Sequence, residues 1–178
     1  YNHVANKDAI LDRMVDAVFA RIEVPDDTDW QTAMRVRAHM MYEELKSHPW
    51  ATALLDSRRT AGATTLQHHD HTIGLLREAG FSAAMVAHVI ALLDSYVYGF
   101  AVQESSLPVQ PEEDVSELAR ELIDSYSTDD LPNITWLATS QVLNADYSFS
   151  AEFEYGLNLL LEAVARRVEP GSGSTGDS

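Results

Sequence analysis

Within five residues, Gln67-His68-His69-Asp70-His71 places three imidazoles and a carboxylate together. Imidazole nitrogens bind metals and exchange protons near neutral pH. His68 and His71 are spaced i, i+3 and share a helix face, a workable spacing for two ligands, with His88 or Asp94 a conceivable third. A tetrahedral site needs more convergence than that, and no second clean pair of ligand spacing occurs elsewhere. The cluster is therefore read as polar pocket lining or a solvated face, and no metal is assigned to it. Arg37 is the other residue of chemical interest. It sits in an apolar stripe with Ala33, Met34, Met40 and Met41, so it needs a buried partner or an anionic ligand. A nearby carboxylate such as Asp94 is the expected partner.

The chain has seven His and 28 carboxylates, the groups used in general acid–base catalysis. Cys is absent, no Ser sits in a nucleophile elbow, and no Gly-rich phosphate loop is present. A helical di-iron enzyme would want Glu-x-x-His pairs, and none occurs. Glu112, Glu113, Asp114, Glu117 and Glu121 lie on polar helix faces, where solvation is the ordinary reason for a carboxylate. An enzyme is not expected, nor is a cofactor. Against those 28 acidic residues stand 12 basic ones, a net charge of −16, so these residues alone should bind duplex DNA poorly. The lack of Cys fits the cytoplasm. No run of about twenty apolar residues and no signal peptide is visible, so no membrane association is expected.

The elements that must position these groups are helices, about eight of them, in an all-α fold. Asn6 suits the N-cap of a helix over 7–23, with Ile10, Leu11, Met14, Val15, Val18 and Ile22 at the 3.6-residue period. Pro25 follows the break, and a second helix is expected over 29–47. Pro49 opens a short helix through Trp50, Leu54 and Leu55. A helix over 61–78 ends at Gly80, and Ser82 caps a long apolar helix to 103. After a Pro-containing loop come helices over 112–126 and 132–144, and a last one from Ser148 or Ser150 to 168. Residues 169–178 have nothing to bury and are expected to be a mobile tail.

Two of these helices carry more apolar surface than one face can use. The last has Phe153, Leu157, Leu160, Leu161 and Val164 on one side, widened by Tyr155 and Leu159. The 82–103 helix is apolar nearly all round, including Val97, Tyr98 and Phe100. Helices of this kind are buried on more than one face, which points to one face for the core and one for a second copy. A two-fold pairing would form a four-helix bundle, with Val97, Tyr98, Phe153, Leu157, Leu160, Leu161 and Val164 at the homodimer interface.

The opening Tyr1-Asn-His-Val-Ala-Asn-Lys7 resembles the end of a DNA-binding domain of the tetracycline repressor (TetR) family, where a Tyr-x-His motif closes the recognition helix and an Asn-Lys pair starts the next. Asp29-Trp30, His48-Pro49-Trp50, Leu75-Leu-Arg-Glu-Ala-Gly-Phe-Ser82, Tyr98-Gly-Phe100 and Phe153-Glu-Tyr-Gly-Leu-Asn-Leu-Leu-Leu161 follow the order of that family's regulatory domain, so the similarity covers about 1–168. It implies that 1–23 is the end of the helix-turn-helix domain with its connecting helix, and 24–168 the effector-binding and dimerisation domain. Tyr1, His3 and Lys7 would contact operator phosphates, with most of the DNA-reading domain missing before Tyr1. The last helix and the one through Gly99-Phe100 would build the dimer bundle. A small-molecule effector among the core helices would tilt the connecting helix and change the spacing of the recognition helices, releasing the operator. Tetracycline repressors hold a drug-bound magnesium through a histidine whose position here, counted back from Gly80, falls near Asp56 and is not a His, a departure that argues against tetracycline as effector. A helical interaction scaffold without a pocket is the alternative.

The pocket is expected between the helices 29–47, 50–55, 61–78 and 82–103. Such sites are mostly apolar with a few placed polar groups. Inward-facing candidates are Arg37, Met41, Trp50, Leu54, His68, His71, Leu75, His88, Leu92, Tyr96 and Trp136.

Overall fold

The computed structural model describes residues 3–57, 62–107, 115–126, 130–144 and 146–168. Among the described residues there are eight α-helices and no strand: α1 (His3–Phe19), α2 (Trp30–Ser47), α3 (Pro49–Ser57), α4 (Ala63–Glu78), α5 (Ala83–Ser105), α6 (Val115–Ser125), α7 (Pro132–Leu137) and α8 (Phe149–Ala165). The fold is all-α, as the periodicity indicates. The expected tail 169–178 and the expected sixth-helix start at 112–114 lie outside the described residues.

The chain forms two compact units: Tyr1–Ser105 with Leu157–Ser178, and Ser106–Gly156. In the first, α2 packs on α5, α1 packs on α3 and α4, and α3 and α4 also pack on α5. Fully buried Ala33 and Ala38 allow α2 a close approach, and Met34, Met41 and Leu45 fill its inner face. Val89, Leu93 and Val97 supply the matching stripe on α5. By length and composition α5 would suffice to cross a bilayer. Here it is a packed helix of the first unit, and its Asp94 is paired to a buried arginine. In the second unit the expected 132–144 helix is split, with α7 followed by a π-helical turn over Ala138–Val142. The Thr139 hydroxyl donates back to the Thr135 carbonyl at 2.7 Å beside that irregularity, competing with the regular ladder.

Local signals explain several ends. The Asp29 carboxylate caps α2, accepting from the Gln31 and Thr32 N–H groups at 3.0 Å each and from the Thr32 hydroxyl at 2.6 Å. Those bonds, the Thr32 hydroxyl first, hold its acidity below the usual carboxylate range. Gly80 has φ 90°, the left-handed conformation needed to end α4. There Phe81 N–H reaches the Leu76 carbonyl at 3.1 Å and Gly80 N–H the Arg77 carbonyl at 3.0 Å, a paired closure of the last turn. Ser82 accepts from Met85 N–H at 3.3 Å and caps α5. One expected cap differs: α1 begins at His3, so Asn6 lies inside the helix. Its regular turns stop at Phe19, and 3₁₀-type bonds from Arg21 and Ile22 finish it before Pro25.

Candidate functional site

Helix α2 brings Arg37 into the interior with 1% of its surface exposed. A guanidinium there must be neutralised and hydrogen-bonded. Asp94, reaching across from α5, accepts from Nη1 at 2.6 Å. Arg37 Nε donates to His68 Nε2 of α4 at 3.0 Å. Arginine cannot accept a hydrogen bond, so His68 Nε2 must carry a lone pair and the imidazole must be neutral, its proton on Nδ1. Burial, then the Arg37 charge, agrees with this by lowering the His68 pKa to about 4. His68 also hydrogen-bonds the backbone of Ile22, just beyond α1. With Nε2 committed to Arg37, the donor to that carbonyl is Nδ1–H. Four helical segments thus meet through one chain of bonds: Asp94, Arg37, His68, Ile22. The second terminal nitrogen of Arg37, Nη2, is buried without a hydrogen-bond partner.

Helix α1 is held to α4 at two further points. Asp16 Oδ1 accepts from Thr65 N–H at 3.1 Å and from its hydroxyl at 2.9 Å. Gly62, the N-cap position of α4, has no side chain, so Asp16 supplies the capping oxygen from another helix. The Phe19 ring packs edge-to-face with His68 and at a tilt to His69, centroids 5.4 and 5.9 Å away.

The histidine cluster divides. Thr65, His68, Thr72 and Leu76 form the buried line of α4. His71, displaced to one side of that line, is exposed and binds the Val24 carbonyl at 3.2 Å and Asp26 at 3.0 Å, tying α4 to the α1–α2 connection. His69, on the other side, is half-buried, and desolvation lowers its pKa. Among the described residues no group of three His, Cys, Asp or Glu converges in a metal-binding arrangement.

Of the other residues expected at the pocket, Met41 is buried one turn beyond Arg37, and Leu54, Leu75 and Tyr96 are half-buried in the same unit. Trp50 is 40% exposed at the start of α3, its ring against His48. His88 and Leu92 lie elsewhere, lining an open cleft of about 240 Å³ between α5 and α8 with Met85, Val89, Ala163, Val164 and Arg167. Trp136 belongs to the second unit and is 66% exposed. Tyr1 lies outside the described residues, and the side chains of His3 and Lys7 are not described.

The residues assigned to a dimer face are mostly spent on the chain's own interior. Val97, Phe153, Leu157, Leu161 and Val164 are buried, and Tyr98 bonds the Thr52 carbonyl through its hydroxyl. Leu160 is half-buried. Exposed instead are Leu92 and Val102 on α5, and Tyr155 and Leu159 on α8. The apolar surplus is real, but what stays exposed on each helix is other positions than those assigned. Asp16, Phe19 and Thr65 were not singled out by sequence, while Ile22 was read only as an apolar position of the first helix and His69 only as a member of the histidine cluster. The available signal was a helix start at Gly62 with no cap of its own.

Comparison with known proteins fits this geometry. At 34% identity over 107 residues, the chain resembles an HTH-type transcriptional regulator of Saccharopolyspora erythraea, covering 59% of this chain and 45% of that protein. It is 28% identical over 104 residues to the HTH-type transcriptional repressor DrrR1 of Streptomyces coeruleorubidus, covering 57% and 38%. The aligned part spans less than half the length of these curated relatives. A Streptomyces coelicolor TetR family protein, ActR, solved in complex with actinorhodin, superposes with a TM-score of 0.74 at 22% identity, covering 95% of this chain and 80% of that one. That likeness shows a shared fold. The family model described as "Tetracyclin repressor-like, C-terminal domain" matches residues 24–168, and by that match over most of its length the chain belongs to this family.

Proposed function

We propose that this chain is the effector-binding and dimerising part of a DNA-binding transcriptional repressor, released from its operator when a small molecule binds among α2, α3, α4 and α5. The observation that carries the reading is the buried Arg37–His68–Asp94 cluster, with a donor to spare and a direct bond to the end of α1. A core built for stability alone gains little from such a cluster, because hydrophobic residues of similar volume serve as well. A recognition site needs a few placed polar groups in an apolar setting. The curated relatives are named as transcriptional regulators, and ActR holds actinorhodin in a chain of this fold.

Residues 1–23 act as the link to the DNA-reading heads, and 24–168 as the regulatory domain. Ile10 and Met14 on α1 are 54% and 36% exposed, an apolar edge suited to packing against a DNA-binding domain. Tyr1, His3 and Lys7 serve as phosphate contacts at that junction. Two copies pair through α5 and α8 and hold two heads at a fixed separation. Effector binding repositions α1 through Asp16, Phe19 and the His68–Ile22 bond, and the half-site spacing is lost. Such a shift requires the effector to bind the released form more tightly than the operator-bound form. The protein acts without catalysis, in the cytoplasm.

The test is an operator titration of the full-length product on a fragment of its own promoter, with actinorhodin as first probe, followed by a compound library. A compound that abolishes binding and raises the Tm of this chain is the expected result. Failure of the full-length product to bind DNA at any salt concentration would overturn the reading.

A further inference from the structure

The unpaired donor on Arg37 states what the effector must present. Nη2 is buried and has no hydrogen-bond partner, while the other two guanidinium nitrogens are committed to Asp94 and His68. An unmet N–H in the interior calls for an acceptor. The charge on Arg37 is already balanced by Asp94 at 2.6 Å. A carboxylate or phosphate on the effector would leave one negative charge in excess inside a chain whose net charge is −16. A neutral carbonyl oxygen satisfies the donor without that penalty. The donor also belongs to a directional chain. Arg37 Nε donates to His68 Nε2, and His68 in turn bonds Ile22 at the end of α1. An oxygen drawing the guanidinium toward itself therefore acts on the bond that fastens α1.

Resting on the ligand-released reading above, we propose that Arg37 Nη2 is the recognition donor for a neutral carbonyl oxygen of the effector, and that the Asp94–Arg37–His68–Ile22 chain carries its occupancy to α1. Arg37 is then a ligand-binding residue, and His68 is a positioning residue that relays its movement.

Three probes of similar size separate the possibilities: acetophenone, ethylbenzene and benzoate. Each is titrated into the whole chain, labelled with 15N-arginine and with 13C at the isoleucine carbonyls. The Arg37 signals are assigned by their loss in Arg37→Lys, so the measurement itself uses the unmodified protein. Acetophenone is expected to move the Arg37 guanidinium and Ile22 carbonyl signals together, and to bind about tenfold more tightly than ethylbenzene, as suits one hydrogen bond to a charged donor. In His68→Leu the Arg37 signals should still respond and the Ile22 signal should not. Equal responses to ethylbenzene, tighter binding of benzoate, or silence of Arg37 to all three (a donor met by buried water only) each overturn the inference. So does a compound that releases the operator while leaving Arg37 unmoved, and in that case the regulator reading stands. If Arg37 responds as expected but the full-length product binds no DNA, the regulator reading falls and the carbonyl site remains.

Discussion

The Asp16 carboxylate of α1 caps α4, accepting from Thr65 N–H at 3.1 Å and from the Thr65 hydroxyl at 2.9 Å. A helix usually carries its own cap at the preceding residue. Here that residue is Gly62, and a Cβ built on it would lie 2.3 Å from the Asp16 carboxylate oxygens. The backbone of Gly62 is ordinary, with φ −73° and ψ 172°, so the glycine is required for room and not for its conformation. Capping and helix–helix attachment are one interaction at this position.

Asp16→Ala is therefore expected to cost about 1 kcal/mol of stability, the usual value of an N-cap. Gly62→Ala should cost a similar amount by pushing the carboxylate off the helix end. Because both remove the same bonds, the double variant should cost clearly less than the sum. Urea denaturation of the four proteins measures this, and strict additivity would refute the shared role.

His68 makes stability depend on pH in a defined window. Its folded pKa is about 4 against an ordinary 6.5, so below 6.5 the unfolded chain takes up the proton first. The contribution is fully present above 6.5 and is lost as pH falls toward 4, amounting to roughly 3 kcal/mol across that window. His68→Gln can still accept from Arg37 and donate to Ile22 but does not titrate. Its stability should decline less steeply between pH 6.5 and 4, and matching slopes for variant and parent would exclude His68 as the cause.

Arg37→Met tests the ion pair at the centre. Removing one partner of a buried pair costs about 3–5 kcal/mol, because the other charge stays behind uncompensated. Asp94 retains 25% side-chain exposure, so the lower end of that range is expected. Adding Asp94→Asn to Arg37→Met should recover a large part of the loss. Thermal melts of both proteins decide it, and no recovery would mean that the Arg37 stem, not its charge, holds the core.

What was legible in the sequence was local or strongly marked. Gly80 and Ser82 bracket a helix break through their own backbone requirements, and both perform as their types dictate. Arg37 declared itself as a charge in an apolar stripe, and its pairing with Asp94, 57 positions away, followed from the need to neutralise it. Position on the turn of α4 was harder to read. Spacing alone joined His68 to His71, yet the buried line passes between His69 and His71, so one is half-buried and the other bonds Val24 and Asp26. The Asp16–Thr65 cap joins residues 49 apart and leaves no periodic trace. On α8, periodicity identified an apolar surplus but could not say which stripe the chain keeps. Burial shows that Phe153, Leu157, Leu161 and Val164 are used internally.

That division locates the dimer test on the positions left outside. Leu92 on α5 is 41% exposed and Leu159 on α8 is 50% exposed, so neither is needed by the isolated fold. The cleft beside Leu92 is apolar and, at about 240 Å³, small for a drug-sized ligand, which suits side chains from a second copy. Leu92→Glu and Leu159→Glu should each shift the chain from dimer to monomer in light scattering. Their helical circular dichroism should stay unchanged, because surface substitutions away from the core cost little. Leu157→Ala, buried in the same helix, should instead lower the monomer's own stability by about 2–5 kcal/mol. A dimer that survives both glutamate substitutions would place the interface on another face.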